Sequence, residues 1–174
     1  QPFHPMYNYA YITDAQEGLI LTEINTLADG EPRNNFLKRA LTWNPNGALN
    51  GARHIAVGGY YLYIATKRGL AIVSVDVPLE PKLVAEVPLN DVRASALQFR
   101  YLFVVDGEGL KTIDVTDPKA PRLVQNNTVR LGDAHSVFVS RTYAYVAGGK
   151  DGLVIVDAEK PEALREYQRF NANG

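Results

Sequence analysis

Residues 151–161 read DGLVIVDAEKP, and residues 108–121 read EGLKTIDVTDPKAP. The echo between them sets the architecture. Four segments align on the same Gly-Leu pair: YAYITDAQEGLILTEI from Tyr9, YLYIATKRGLAIVSV from Tyr61, YLFVVDGEGLKTIDV from Tyr101 and YAYVAGGKDGLVIVDA from Tyr143. The anchoring glycines, Gly18, Gly69, Gly109 and Gly152, lie 51, 40 and 43 residues apart. Self-similarity at a near-constant period of this length marks a repeat protein.

Each unit reads as two strands joined by a hairpin. The flanks are rich in Tyr, Val and Ile, and the connections are Gly, Asp, Lys and Glu, the residues that tolerate a positive φ. The strands are apolar at consecutive positions, as expected when both faces of a sheet are covered. A further strand precedes the tyrosine in three units: HIAVGG before Tyr61, ASALQF before Tyr101 and SVFVS before Tyr143. Another comes after a turn that carries Pro81, Pro121 or Pro161. Proline removes a ladder donor and suits the entry to an outer strand. Four antiparallel strands in about 40 residues predict an all-β chain of propeller blades, about four repeats, as a whole ring or part of a larger one. The units divide the single domain at about 1–50, 51–90, 91–132 and 133–174. One blade cannot cover its own apolar faces, so neighbours must, and an uncapped end leaves apolar surface exposed.

Two departures stand out. Pro2 and Pro5 argue against a good inner strand in the first unit. The first spacing is also longer by about ten residues, within Thr26 to Gly51. That stretch holds the only tryptophan, Trp43, a candidate partner-binding loop residue. Its structural alternative is packing over the blade edge.

Leu153-Val154-Ile155-Val156-Asp157 resembles the LVIVD repeat, and Leu110-Lys111-Thr112-Ile113-Asp114 is a diverged copy. Leu70 to Ser74 and Leu19 to Glu23 depart further from it. The resemblance spans about residues 9 to 170. It implies a β-propeller of the kind found largely in bacterial and archaeal cell-surface or secreted proteins. No single enzymatic activity comes with it. A further role that the resemblance implies is that of an accessory subunit of a surface assembly, such as one containing multihaem cytochromes.

The totals exclude several classes. Eighteen basic and 19 acidic residues leave a net charge of −1, so nothing favours nucleic acid or an acidic membrane surface. No apolar run reaches the roughly 18 residues a membrane helix needs. The start, QPFHPMYNY, has no basic and apolar signal-peptide pattern, and a mature secreted chain would look the same. Without cysteine there is no disulfide, no Cys-ligated zinc and no iron–sulfur cluster. No nucleophile elbow, Walker motif or EF-hand loop occurs, and DGEG and GGKDG sit where hairpins turn.

Candidate chemistry lies where propellers bind ligands, at the mouth of the central channel. Eight residues before the anchoring tyrosines stand Arg53, Arg93 and His135, with His54 beside the first. A cation recurring at one repeat position could hold a carboxylate, phosphate or sulfate. The structural alternative is that each arginine pairs with a nearby Asp91 or Asp133 and ties blades together. The histidines, His4, His54 and His135, have no metal-ligand spacing, and no cofactor is expected. Asp114 and Asp157 are expected to accept backbone N–H groups of the turns just after them. The sequence thus favours a non-enzymatic binding or scaffold module, extracellular, at the cell surface or periplasmic. Its partner would be another protein or further propeller blades. The rival is a ligand-binding or hydrolytic propeller using Arg53, His54, Arg93 and His135.

Overall fold

The computed structural model describes residues 4–171. Its strands form four antiparallel sheets, taken in chain order. Blade 1 holds β1 (Tyr9–Asp14), β2 (Gly18–Glu23) and β3 (Lys38–Trp43). Blade 2 holds β4 (His54–Gly58), β5 (Tyr61–Thr66), β6 (Gly69–Ser74) and β7 (Lys82–Pro88). Blade 3 holds β8 (Ala94–Gln98), β9 (Tyr101–Asp106) and β10 (Gly109–Asp114), with β11 (Arg122–Leu123) and β12 (Val129–Arg130) both paired to β10. Blade 4 holds β13 (Ser136–Ser140), β14 (Tyr143–Ala147), β15 (Leu153–Asp157) and β16 (Arg165–Phe170). The blades succeed one another without closing.

The Gly-Leu pair that aligns the repeats has a steric cause. Gly69, Gly109 and Gly152 all have positive φ, and each abuts the outer strand. A Cβ at Gly109 would lie 2.1 Å from the Val129 carbonyl oxygen, and one at Gly69 would lie 2.3 Å from that of Val87. Only glycine permits the turn and the approach together.

Strand alternation sends successive side chains to opposite neighbours. In β5, Tyr63 and Ala65 pack forward with Leu102 and Val104 of blade 3, while Leu62 and Ile64 pack back with Leu19 and Leu21 of blade 1. In blade 3, Phe103 and Val105 pack forward with Ala144 and Val146 of blade 4. Three clusters, one per junction, therefore form the core. This is why the strands read as apolar at consecutive positions. Every residue of β9, a middle strand of an inner blade, is buried, whereas every residue of β16 is exposed.

Two local features differ from the sequence reading, and a third, the turn at Pro5, agrees with it. The third outer strand is not continuous: β11 and β12 are separate, and Asn127 between them is buried. Its amide donates to the Thr112 hydroxyl and the Pro161 carbonyl, at 3.2 and 2.7 Å, and its oxygen accepts from Leu164 N–H. The break turns a strand residue into a tie to blade 4. The polar-looking loop after Trp43 buries Ala48 and, completely, Leu49, which packs in the junction between blades 1 and 2. In the first unit Pro5 begins a short 3-10 turn, Pro5–Asn8, rather than a strand, and the Tyr11 hydroxyl donates to the Met6 carbonyl. Pro2 lies outside the described residues.

Candidate functional site

The candidate cations lie where the chain enters each innermost strand. The backbone just before them bends sharply: Gly51 and Asp91, equivalent in the repeat, both have positive φ. From that bend Arg53 leaves blade 2 and reaches blade 3. Its Nε donates to the Val92 carbonyl at 2.7 Å, and one terminal N–H group donates to Asp91 Oδ1 at 2.7 Å. Arg93 makes the same reach one blade on, donating to the Ala134 carbonyl at 2.7 Å, and its Nε donates back to Asp91 Oδ2 at 2.8 Å. Val92 and Ala134 occupy equivalent positions, one residue before Arg93 and His135. His54 repeats the theme, its Nε2–H donating to the Ser95 carbonyl of blade 3 at 2.9 Å.

Asp91 thus stands between two guanidinium groups. Hydrogen bonds from Arg93 and then Arg53 hold its carboxyl below the ordinary carboxylate range. His135, the counterpart of Arg93, turns instead to its own Asp133, 3.0 Å away, and is largely exposed. The Lys150 backbone N–H and then His135 lower the Asp133 carboxyl. Arg53, His54 and Arg93 are therefore brought together along two junctions, and His135 sits apart at the free end of the series. A groove of about 460 Å³ beside Arg53 is lined also by Ala15, Gly51, Lys67, Asn90 and Asp91. Two cations and one carboxylate line it, so its charge suits a small anion.

His4 lies elsewhere, its ring stacked on Tyr60 at 4.2 Å between centroids. Among the described residues no group of three or more His, Asp or Glu side chains could hold a metal ion. Trp43 lies on β3 rather than in a loop, half-buried and packed against the core between blades 1 and 2. Asp114 and Asp157 accept the backbone N–H groups of Thr116 and Glu159, at 2.9 and 3.0 Å.

One surface was foreseen only in kind, as the exposed apolar face of an uncapped end. Tyr11, Tyr63, Phe103 and Tyr145 stand at one repeat position on the forward-facing side of each blade. The first three are covered by the next blade; burial pushes the Tyr11 and Tyr63 hydroxyls up to about 12. Tyr145 has no blade before it. Around it Phe138, Leu153 and Phe170 are exposed, and Phe138, Tyr145 and Leu153 line an apolar depression of about 490 Å³. The periodicity of blade 4 matches that of the inner blades, so the pattern alone did not mark this face, although Phe138 replaces the alanine found at Ala56 and Ala96.

Strands stacked as blades, with blades 2 and 3 each clasped to the next by an arginine at the entry to the innermost strand, define a β-propeller repeat protein. A model of the LVIVD repeat matches residues 7–24, 51–87, 96–129 and 131–171, and the chain belongs to this family. Among solved structures it is similar to the crystal structure of the N-terminal domain of Nup159, with a TM-score of 0.62 and 12% identity. That likeness covers 95% of this chain and 42% of the other, so the chain spans less than half the length of that β-propeller. No curated protein matches the chain.

Proposed function

We propose that this chain is a non-enzymatic β-propeller binding or scaffold module of a secreted or cell-surface protein, working through protein–protein contacts at its blade ends. One observation carries the reading: Arg53, His54 and Arg93 each donate a hydrogen bond to the next blade, while the forward face of blade 4 keeps its aromatic surface uncovered. Polar groups engaged in ties between blades are framework, whereas a contiguous apolar patch rimmed by polar residues marks an interaction surface. Membership of the LVIVD family supports a propeller module and leaves its partner to be found by experiment.

A second reading rests on the groove lined by Arg53, Lys67 and Asp91, which would take a small anion. Titration with phosphate, sulfate and citrate, monitored by calorimetry, separates the two. The module reading expects no saturable binding and a loss of stability in Arg53→Ala. Saturable binding tighter than about 1 mM, lost in a folded Arg53→Ala chain, would replace it with the anion site. Protease shaving of intact source cells tests the location, which requires the chain to be cleaved without lysis.

A further inference from the structure

We infer that the forward face of blade 4 binds a second copy of this chain, the two blade 4 faces meeting about a two-fold axis. The inference rests on the module reading above and names its partner.

The face is built by register. Phe138 stands opposite Tyr145, and Tyr145 opposite Ile155; two residues further along, on the same side again, Ser136, Ala147, Leu153 and Phe170 share a row. Directly opposed residues lie on one side of a sheet, so these rows make one surface. Phe138 is 66% exposed and Phe170 59%. Tyr143 and Tyr167 extend it, their rings 5.3 Å apart.

A further blade seated as the internal ones are is a poor fit. The positions equivalent to Phe138 are Ala56 and Ala96, both packed beneath the next blade. Innermost strands approach closely there: a Cβ at Gly58 would come 2.1 Å from Leu97 Cδ2. A phenylalanine ring on the equivalent strand would occupy the space of the incoming strand. The aromatic surface suits a flatter apposition of two sheets, which pack about 10 Å apart.

The opposite end of the series does not supply the complement. On the rear face of blade 1, Arg39 is paired with Glu17 and bonded to the Thr42 hydroxyl. Ile20 and Thr22, on that same face by register, are closed off from solvent. Head-to-tail joining would have to displace this polar cover. Pairing like with like needs one self-complementary patch, the commonest arrangement of homodimers. The rim of blade 4 allows it, because Arg165 and Asp157, paired with each other at 3.4 Å, stand on this same side by register. A two-fold axis can set one copy's bases against the other's acids, and a net charge of −1 opposes the approach only weakly.

Light scattering and sedimentation equilibrium of the whole chain, from about 1 to about 200 μM, test the inference. The expected result is a monomer–dimer equilibrium whose dissociation constant rises at least ~10-fold in Phe138→Glu and in Tyr145→Lys. Circular dichroism and thermal melts confirm that these variants fold, as both sites are outside the core. Because the chain has no cysteine, Tyr145→Cys gives an independent readout: it is expected to oxidise to a disulfide-linked dimer at least ~10-fold faster than Ile12→Cys on blade 1. A chain that stays monomeric throughout overturns the inference. So does a dimer indifferent to Phe138→Glu, or a ladder of larger species broken by substitutions on blade 1. The module reading survives these failures and stands or falls by the anion titration.

Discussion

The rear face of blade 1 and the forward face of blade 4 are the two surfaces that no other blade covers, yet they are finished differently. Blade 1 turns outward an ion pair, Arg39 with Glu17, and on that face Ile20 is only 5% exposed, which leaves Ile12, opposite it and 43% exposed, as an apolar side chain open to solvent. Blade 4 turns outward Phe138, Tyr145, Leu153 and Phe170 without such a cover. Repeat proteins need polar outer faces on their terminal units to remain soluble. One end of this series meets that need within the chain, and the other does not. The same repeat position is therefore core in blades 1 to 3, where the next blade covers it, and open in blade 4, the last of this series.

The sharpest way to break this comparison is to cut the same position in two blades. Phe103 is fully buried, and Tyr145 is its counterpart. Phe103→Ala is expected to cost about 3–5 kcal/mol, the loss of a buried aromatic with its cavity. Tyr145→Ala, in the monomer, is expected to cost less than about 1 kcal/mol. Denaturant unfolding of both variants at low protein concentration checks this. Equal losses would mean that blade 4 is covered in solution by part of its own chain, and the comparison would fall.

A smaller effect sharpens it. Arg93 donates across a junction to the Ala134 carbonyl, while His135 reaches only the Asp133 of its own blade. Arg93→Ala is expected to cost about 1–2 kcal/mol, as a charge-assisted hydrogen bond is lost and a carbonyl is left short of a partner. His135→Ala is expected to stay within about 0.5 kcal/mol. Thermal melts of the two variants measure the difference, and a His135 effect as large as that of Arg93 would show that blade 4 has an unseen neighbour.

How far the sequence reached has the same physical basis. Strands, hairpins and their order were legible because Gly69, Gly109 and Gly152 mark steric necessities, which recur wherever the geometry recurs. The cations were legible as a set, Arg53, Arg93 and His135, because they share one repeat position. The pairing of the two arginines with Asp91 was legible as the structural alternative, but their bonds to Val92 and Ala134 were not, since a backbone acceptor leaves no mark in a sequence. Asn127 was hidden for a related reason: in an exposed turn and in a buried tie it is the same letter. Leu49 sits among residues of loop composition, so its burial depends on blade 2 lying over it. The open face of blade 4 was the least legible, because alternation reports which residues share a side and not whether anything lies against that side.

Acid separates the clasped junction from the open end most gently, through Asp91 and Asp133. Hydrogen bonds from Arg93 and Arg53 lower the Asp91 carboxyl, and in the unfolded chain an aspartate titrates near about 3.9. A carboxyl lowered on folding contributes stability that is whole above the unfolded value and is lost as pH falls through the folded one. The Asp91 contribution should therefore be constant from neutral pH to about 4.5 and fade below about 4. The carboxylate is part-exposed, so solvent screens it and its contribution at neutral pH should be no more than about 1 kcal/mol. Asp14 and Asp114 are lowered too, by backbone N–H groups and by the Thr116 hydroxyl with its N–H, and add to the general loss in acid. The informative quantity is consequently the gap between wild type and Asp91→Asn, measured by thermal melts from pH 7 to pH 3. That gap should close as the pH falls, because protonation does to the wild type what the substitution does outright. Asp133→Asn should open a smaller gap, since its carboxylate holds a turn of blade 4 and a histidine rather than a junction between blades. If the Asp91 gap instead persists unchanged at pH 3, the clasp depends on the shape of the acceptor and not on its charge. The contrast between a clasped junction and a free end would then rest on the arginine–carbonyl bonds alone.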